Sequence, residues 1–108
     1  MESKSLFLEY NMTKRRFLNL KGEPLEGVQI SKDKKTIYRF RNGFLDGDVY
    51  DIDGRFITVK PAVEAPGHIE YWRQNKIHRD KNEAAVISEK FTIKEYWENG
   101  IQKSIVNK

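Results

Sequence analysis

The sequence predicts an all-β protein: an antiparallel meander of stacked short hairpins, arranged largely as a single-layer sheet. One reason is a repeat. "EYWRQNKIHRD" from residue 70 and "EYWENGIQKS" from residue 95 align Glu70, Tyr71 and Trp72 with Glu95, Tyr96 and Trp97. A second is the placing of Asn-Gly between apolar-aromatic runs, the strongest short-range hairpin signal, because both central residues of a type I′ turn need positive φ. The third is that no stretch carries a sustained 3.6-residue apolar stripe with caps. "KNEAAVISEK" comes nearest, and its Val-Ile pair suits a strand equally well.

Along the chain, residues 1–37 are the least regular and are expected to form divergent hairpins or a cap, with hairpin repeats over 38–104, all in one domain of 108 residues. Within "YRFRNGFLDG", Phe40 takes the Trp position and Asn42–Gly43 the turn. Asp53–Gly54 in "YDIDGRFI" supplies another turn of this kind. In the second copy Gln74–Asn75 falls on Asn99–Gly100 of the third, and Asn is the residue after Gly that best tolerates a left-handed backbone. Upstream of each aromatic pair lies a similar unit: "GVQISKDKKTIYRF", "PAVEAPGHIEYW" and "AAVISEKFTIKEYW". Each runs from a short apolar segment through a turn into an aromatic strand. Neighbouring copies then bury each other's rings. The outermost strands are open edges, and the Lys and Arg of the first segment and the final "QKSIVNK" guard them against edge-to-edge pairing.

Composition agrees with a thin architecture. The chain is 38% hydrophobic and 33% charged, with a mean hydropathy of −0.75, and much of its apolar content lies in six Phe, five Tyr and two Trp. No apolar run approaches the roughly 20 residues needed to span a bilayer. Leu6, Phe7 and Leu8 make too short a run for a signal-peptide core. Without cysteine there is no disulfide framework and no thiolate metal site. A cytoplasmic protein with no membrane partner is expected. The net charge of +4 is uneven: residues 1–41 hold ten Lys/Arg against five Asp/Glu, residues 42–66 two against five, and residues 67–108 eight against six. A basic end of this sort attracts nucleic acid or an acidic protein surface, and it also simply keeps a thin sheet soluble.

The stretch "YRFRNGFLDGDVYDIDGRFI" resembles the bacterial variant of the MORN repeat, with Tyr38, Phe40, Asn42, Gly43, Asp46, Gly47, Tyr50, Asp53 and Gly54 in the pattern's places. Residues 70–86 resemble a related repeat, in which Tyr71, Trp72, Lys76, Ile77, His78, Arg79 and Ala84 match. Asn75, Asn82 and Glu83 depart from it at Gly, Gly and Pro positions. The resemblance implies stacked hairpins in a scaffolding or binding role, and proteins built this way include antitoxin-like and phage-borne ones; that part is fold-level analogy.

Few residues invite chemistry. His78–Arg79 pairs a base with a phosphate clamp, but it recurs as part of a repeat pattern and is expected to make a turn or an inter-hairpin contact. His68 sits beside Gly67 in a turn, and two histidines without cysteine make no metal centre. Asp46, Asp48, Asp51 and Asp53 offer oxygens at near-alternate spacing, yet the stretch lacks a twelve-residue calcium loop, and Asp serves turns for backbone reasons. No phosphate loop, nucleophile motif or catalytic carboxylate pair is present. The expectation is a non-enzyme with no cofactor and no metal.

The function expected from these features is a protein-binding module. Its sharpest form is a small inhibitor or antitoxin-like protein, of the phage-borne kind the resemblance implies, that binds and occludes a partner enzyme, one that processes nucleic acid being a fitting target. The expected interface is Arg39, Arg41, Tyr71, Trp72, Arg73, His78, Arg79, Tyr96 and Trp97, since Tyr, Trp and Arg are the enriched hot-spot residues. The alternative is a nucleic-acid-binding β-protein using Lys14, Arg15, Arg16, Lys32, Lys34 and Lys35 together with stacking rings. A homo-oligomer formed edge to edge stays open.

Overall fold

A computed structural model describes residues 10–107; the apolar run at residues 6–8 lies outside them. Among the described residues there are fourteen strands and no helix: β1 (Tyr10–Asn11), β2 (Arg16–Phe17), β3 (Gly27–Ile30), β4 (Ile37–Arg41), β5 (Phe44–Leu45), β6 (Asp48–Tyr50), β7 (Phe56–Val59), β8 (Val63–Ala65), β9 (His68–Glu70), β10 (Trp72–Arg73), β11 (Lys76–Ile77), β12 (Val86–Ser88), β13 (Ile93–Glu98) and β14 (Ile101–Asn107). The protein is all-β, its strands antiparallel in open sheets. The main sheet runs β14-β13-β12-β9-β8-β4-β3, with β5 paired to β4, and three two-stranded ribbons (β1-β2, β6-β7, β10-β11) accompany it. The molecule measures 42 × 38 × 25 Å. No helix among the described residues is long and apolar enough to cross a membrane.

The Asn-Gly signals fold as hairpins of one register. Phe40 pairs with Leu45, Trp72 with Ile77 and Trp97 with Gln102, each pair enclosing a two-residue turn after one further pair. All three turns are left-handed at both central residues: φ is 52° and 80° at Asn42–Gly43, 46° and 67° at Gln74–Asn75, and 50° and 83° at Asn99–Gly100. Asn75 therefore does stand in for glycine. The turns also stack. Asn75 donates its amide to Leu45 C=O at 2.9 Å, Leu45 donates to Asn75 Oδ1 at 3.1 Å, and Gly100 donates to Ile77 C=O at 2.8 Å.

Asp53–Gly54 differs from the expectation. Gly54 is left-handed at 81° but Asp53 is not, so this is no type I′ turn. Asp51 organises it instead: its Oδ1 accepts the amides of Asp53 (2.9 Å) and Arg55 (2.8 Å). Asn19 builds the same device, accepting Lys21 and Glu23 amides ahead of and beyond Gly22.

The core is as thin as the composition implies. Leu25, Phe40, Leu45 and Ala62 are buried, with Phe17, Tyr38, Val63 and Trp72 packed against them. Ala62 and Ala85 are fully enclosed because each is stitched on both sides. Ala62 accepts from Arg39 N–H and donates to Glu70 C=O, both at 2.8 Å; Ala85 accepts from Tyr71 N–H at 2.7 Å and donates to Glu95 C=O at 2.8 Å. Strand β4 crosses the boundary drawn at residue 37, so the hairpin β3-β4 belongs to both the irregular and the repeated parts of the sequence.

Candidate functional site

The hairpin β10-β11 places two of the chemically suggestive side chains, and both point inward. Arg73 donates from Nε to Asp48 Oδ2 at 2.6 Å and from Nη2 to Asp80 Oδ2 at 2.9 Å. His78 is buried, its Nδ1 accepting the Asn99 amide at 3.0 Å. The ring proton therefore sits on Nε2, which faces Asp80 Oδ1 at 2.7 Å. Arg41 reaches the Asp48 carbonyl and lies over the Tyr50 ring, 4.7 Å from its centroid. Asp46, also buried, accepts the amides of Asp48 (2.9 Å) and Gln74 (3.3 Å). Burial raises the Asp46 carboxyl above its ordinary range, whereas hydrogen bonds from Arg73 and then His78 hold Asp80 below it.

The carboxylates of "LDGDVYDIDG" are thus spent on backbone amides and arginines. Among the described residues no group of three or more His, Asp or Glu is placed to hold a metal ion.

This network anchors the segment 79–83 that follows His78. Arg79 stands over the Tyr71 ring at 3.9 Å, donates to Ala84 C=O at 3.2 Å and pairs with Glu83 at 2.8 Å. Its amide donates to Trp97 C=O at 3.2 Å. Lys81 and Asn82 are both left-handed, at 64° and 57°, which accounts for Asn at a position where the resembled repeat has Gly.

On each side of this segment lies a shallow groove. One, of about 390 Å³, is lined by Tyr96, Trp97, Lys103, Ser104 and Val106 among others. The other, of about 240 Å³, is lined by Phe56, Ile57, Thr58 and Val59 of β7 with Lys81. Arg79 and Glu83 border both. Trp97 is held by its Nε1 donating to Glu95 Oε1 at 2.8 Å, as Trp72 is by Glu70, also at 2.8 Å.

Of the residues expected at an interface, Arg79, Tyr96 and Trp97 come together here. The others are occupied within the chain. Arg39 binds Glu64 and the Pro61 carbonyl, Trp72 packs on the core, Tyr71 lies under Arg79, and Arg41, Arg73 and His78 belong to the polar network. Tyr71, Trp72, Tyr96 and Trp97 are all half-buried. Sequence reasoning missed Phe56 and Ile57, which are 52% and 57% exposed. The signal was there in "RFITV": adjacent apolar residues, with no polar alternation, in a strand whose two faces cannot both be buried.

The basic residues of the nucleic-acid alternative divide between two turns. Lys14 and Arg15 lie between β1 and β2, and Lys32, Lys34 and Lys35 between β3 and β4, all exposed. Arg16 is turned aside onto the Phe44 ring, 4.7 Å from its centroid.

Comparison with protein-family models, with curated proteins and with solved structures finds no match. The fold and the site define the class directly: an all-β array of short antiparallel hairpins presenting two half-apolar grooves across an anchored segment.

Proposed function

We propose that the protein is a protein-binding module without catalytic activity, an inhibitor or antitoxin-like protein that binds a partner enzyme and occludes it. The observation that carries this is the pair of grooves on either side of Arg79–Glu83, with Tyr96, Trp97, Phe56 and Ile57 mounted on strands. Aromatic and arginine side chains are the residues that concentrate binding energy. Holding them on strands lowers the ordering cost of association. The non-catalytic part is supported by His78, whose two ring nitrogens are both engaged within the chain. The resemblance to MORN-variant repeats supports a phage-borne, antitoxin-like setting, and the absence of cysteine supports a cytoplasmic one.

The test is capture from host lysate followed by addition of the protein to the isolated, captured enzyme. Turnover should fall in step with the amount of protein added. Tyr96→Ala and Ile57→Lys variants that retain the parent's circular dichroism should bind about 30-fold more weakly, the size of a single hot-spot loss. Capture of no enzyme, an enzyme unaffected by saturating protein, or turnover of a substrate by the protein itself would overturn the proposal. A complex that disappears on nuclease treatment would transfer it to nucleic acid.

A further inference from the structure

The main sheet is built from a repeated pair: a first strand with an Ala-Val start, then an aromatic return strand. Val63 lies opposite Tyr38 of the preceding return strand and opposite Glu70 of its own; Val86 lies opposite Glu70 and Glu95 in the same way. Ile105 of β14 occupies the third such place, opposite Glu95, with Ser104 opposite Tyr96 where Ala62 and Ala85 stand in the earlier copies. The enclosed alanines each turn a carbonyl back to the preceding copy and an amide forward to the following strand. No described strand pairs with β14 on that forward side. All seven residues of β14 are exposed, with Ile101, Ile105 and Val106 at 63%, 58% and 40%. Lys103 is the single charge in the strand.

We propose that this edge takes a second copy of the chain, two β14 strands pairing antiparallel about a two-fold axis. Strand direction chooses this occupant. The path from β14 to β3 has seven strands, each antiparallel to the next, so its two edges run the same way. A copy stacked by translation would place β3 parallel against β14, the less stable pairing and one that grows without closing. The two-fold pair is antiparallel, like every other pair in the sheet, and it closes at two copies. It also sets the apolar side chains of one edge beside those of the other and walls the groove at Ser104 and Val106. One strand pair buries less than a standard interface, so the dissociation constant is of the order of 10 µM. The proposal is independent of the inhibitor function.

A two-fold axis normal to the sheet keeps every residue on the same face in both copies, and directly opposed residues share a face. Residues 104–107 lie beyond the register shift that skips Lys103 and alternate regularly, so a pair centred on them sets one residue opposite its own counterpart. Because the chain has no cysteine, single cysteines report this cleanly. Ser104→Cys, Ile105→Cys and Val106→Cys are oxidised gently in parallel with Ile30→Cys on the opposite edge. One β14 position should crosslink at least tenfold faster than Ile30→Cys. Light scattering on the unaltered chain should show its 12.8 kDa mass doubling between low and high micromolar concentration and rising no further. A constant monomer mass up to several hundred micromolar (well above ~10 µM), growth beyond the dimer, or equal crosslinking from Ile30→Cys would each overturn the proposal.

Discussion

Gly47 is the position where a single methyl group should do the most damage. Its φ is not left-handed, so alanine meets no backbone penalty there. The obstacle is space. A Cβ on residue 47 would stand 1.7 Å from the Lys60 carbonyl oxygen and 2.8 Å from its carbon, both main-chain atoms that cannot rotate away. Reaching an ordinary contact of about 3.4 Å means separating the two strands by well over an ångström. Two hydrogen bonds made by Gly47 would be lost: Lys60 N–H to Gly47 C=O at 2.8 Å, which joins these two segments, and Gly47 N–H to Trp72 C=O at 3.0 Å, which ties residue 47 to β10. Two buried backbone bonds at about 1 kcal/mol each, plus the desolvated groups left behind, put Gly47→Ala at about 3–4 kcal/mol. Gly54→Ala is the control, because nothing lies within 4 Å of its Cβ and only its φ of +81° is strained. It should cost about 1–2 kcal/mol. Urea unfolding followed by tryptophan fluorescence measures both, with unchanged m-values as the check that the same transition is compared. If Gly47→Ala cost no more than Gly54→Ala, the tight crossing of Gly47 and Lys60 would be refuted.

Arg73→Ala strips a buried Asp48 carboxylate, 3% exposed, of its partner and should destabilise by about 3 kcal/mol, with Asp48→Asn added in the same chain recovering part of the loss in a double-mutant cycle. Asp80, whose carboxyl is held below the ordinary 3.8 by Arg73 and His78, contributes stability that is fully present above that pH and is lost as the pH falls through its lowered value. The stability gap between the parent and Asp80→Asn should therefore be full at neutral pH and shrink in acid, as urea midpoints at pH 7, 5 and 3 would show. Asp46 acts in the opposite sense: burial raises it, so its ionised form costs stability at neutral pH and that cost is relieved as the pH falls through its raised value. Phe91 is left-handed at 73° with its ring half exposed, so Phe91→Gly should raise stability by about 1 kcal/mol on thermal unfolding.

Most of the fold was legible because its signals are local. Asn42–Gly43 and Asn99–Gly100 announce left-handed turns by residue type alone, and the recurring Glu-Tyr-Trp fixes the register of the strands before them. The candidate site was less legible because its determinants are distant in sequence. Nothing near Arg73 indicates that it binds Asp48, 25 residues away, and nothing near Tyr71 shows that Arg79 folds back over its ring. Both look like free surface until the hairpins stack. The final "QKSIVNK" resembles a charged, protected edge in the sequence. In the sheet, Ser104 and Ile105 of β14 occupy the place of an Ala-Val first strand, and Ile105 and Val106 are exposed.

The most direct test of a protein-binding face across Arg79–Glu83 is hydrogen exchange of the protein alone and in its captured complex. The account predicts slowed exchange in β7, residues 79–83 and β13, with the two basic turns unchanged. Protection confined to residues 12–16 and 31–36, and abolished by nuclease, would contradict it.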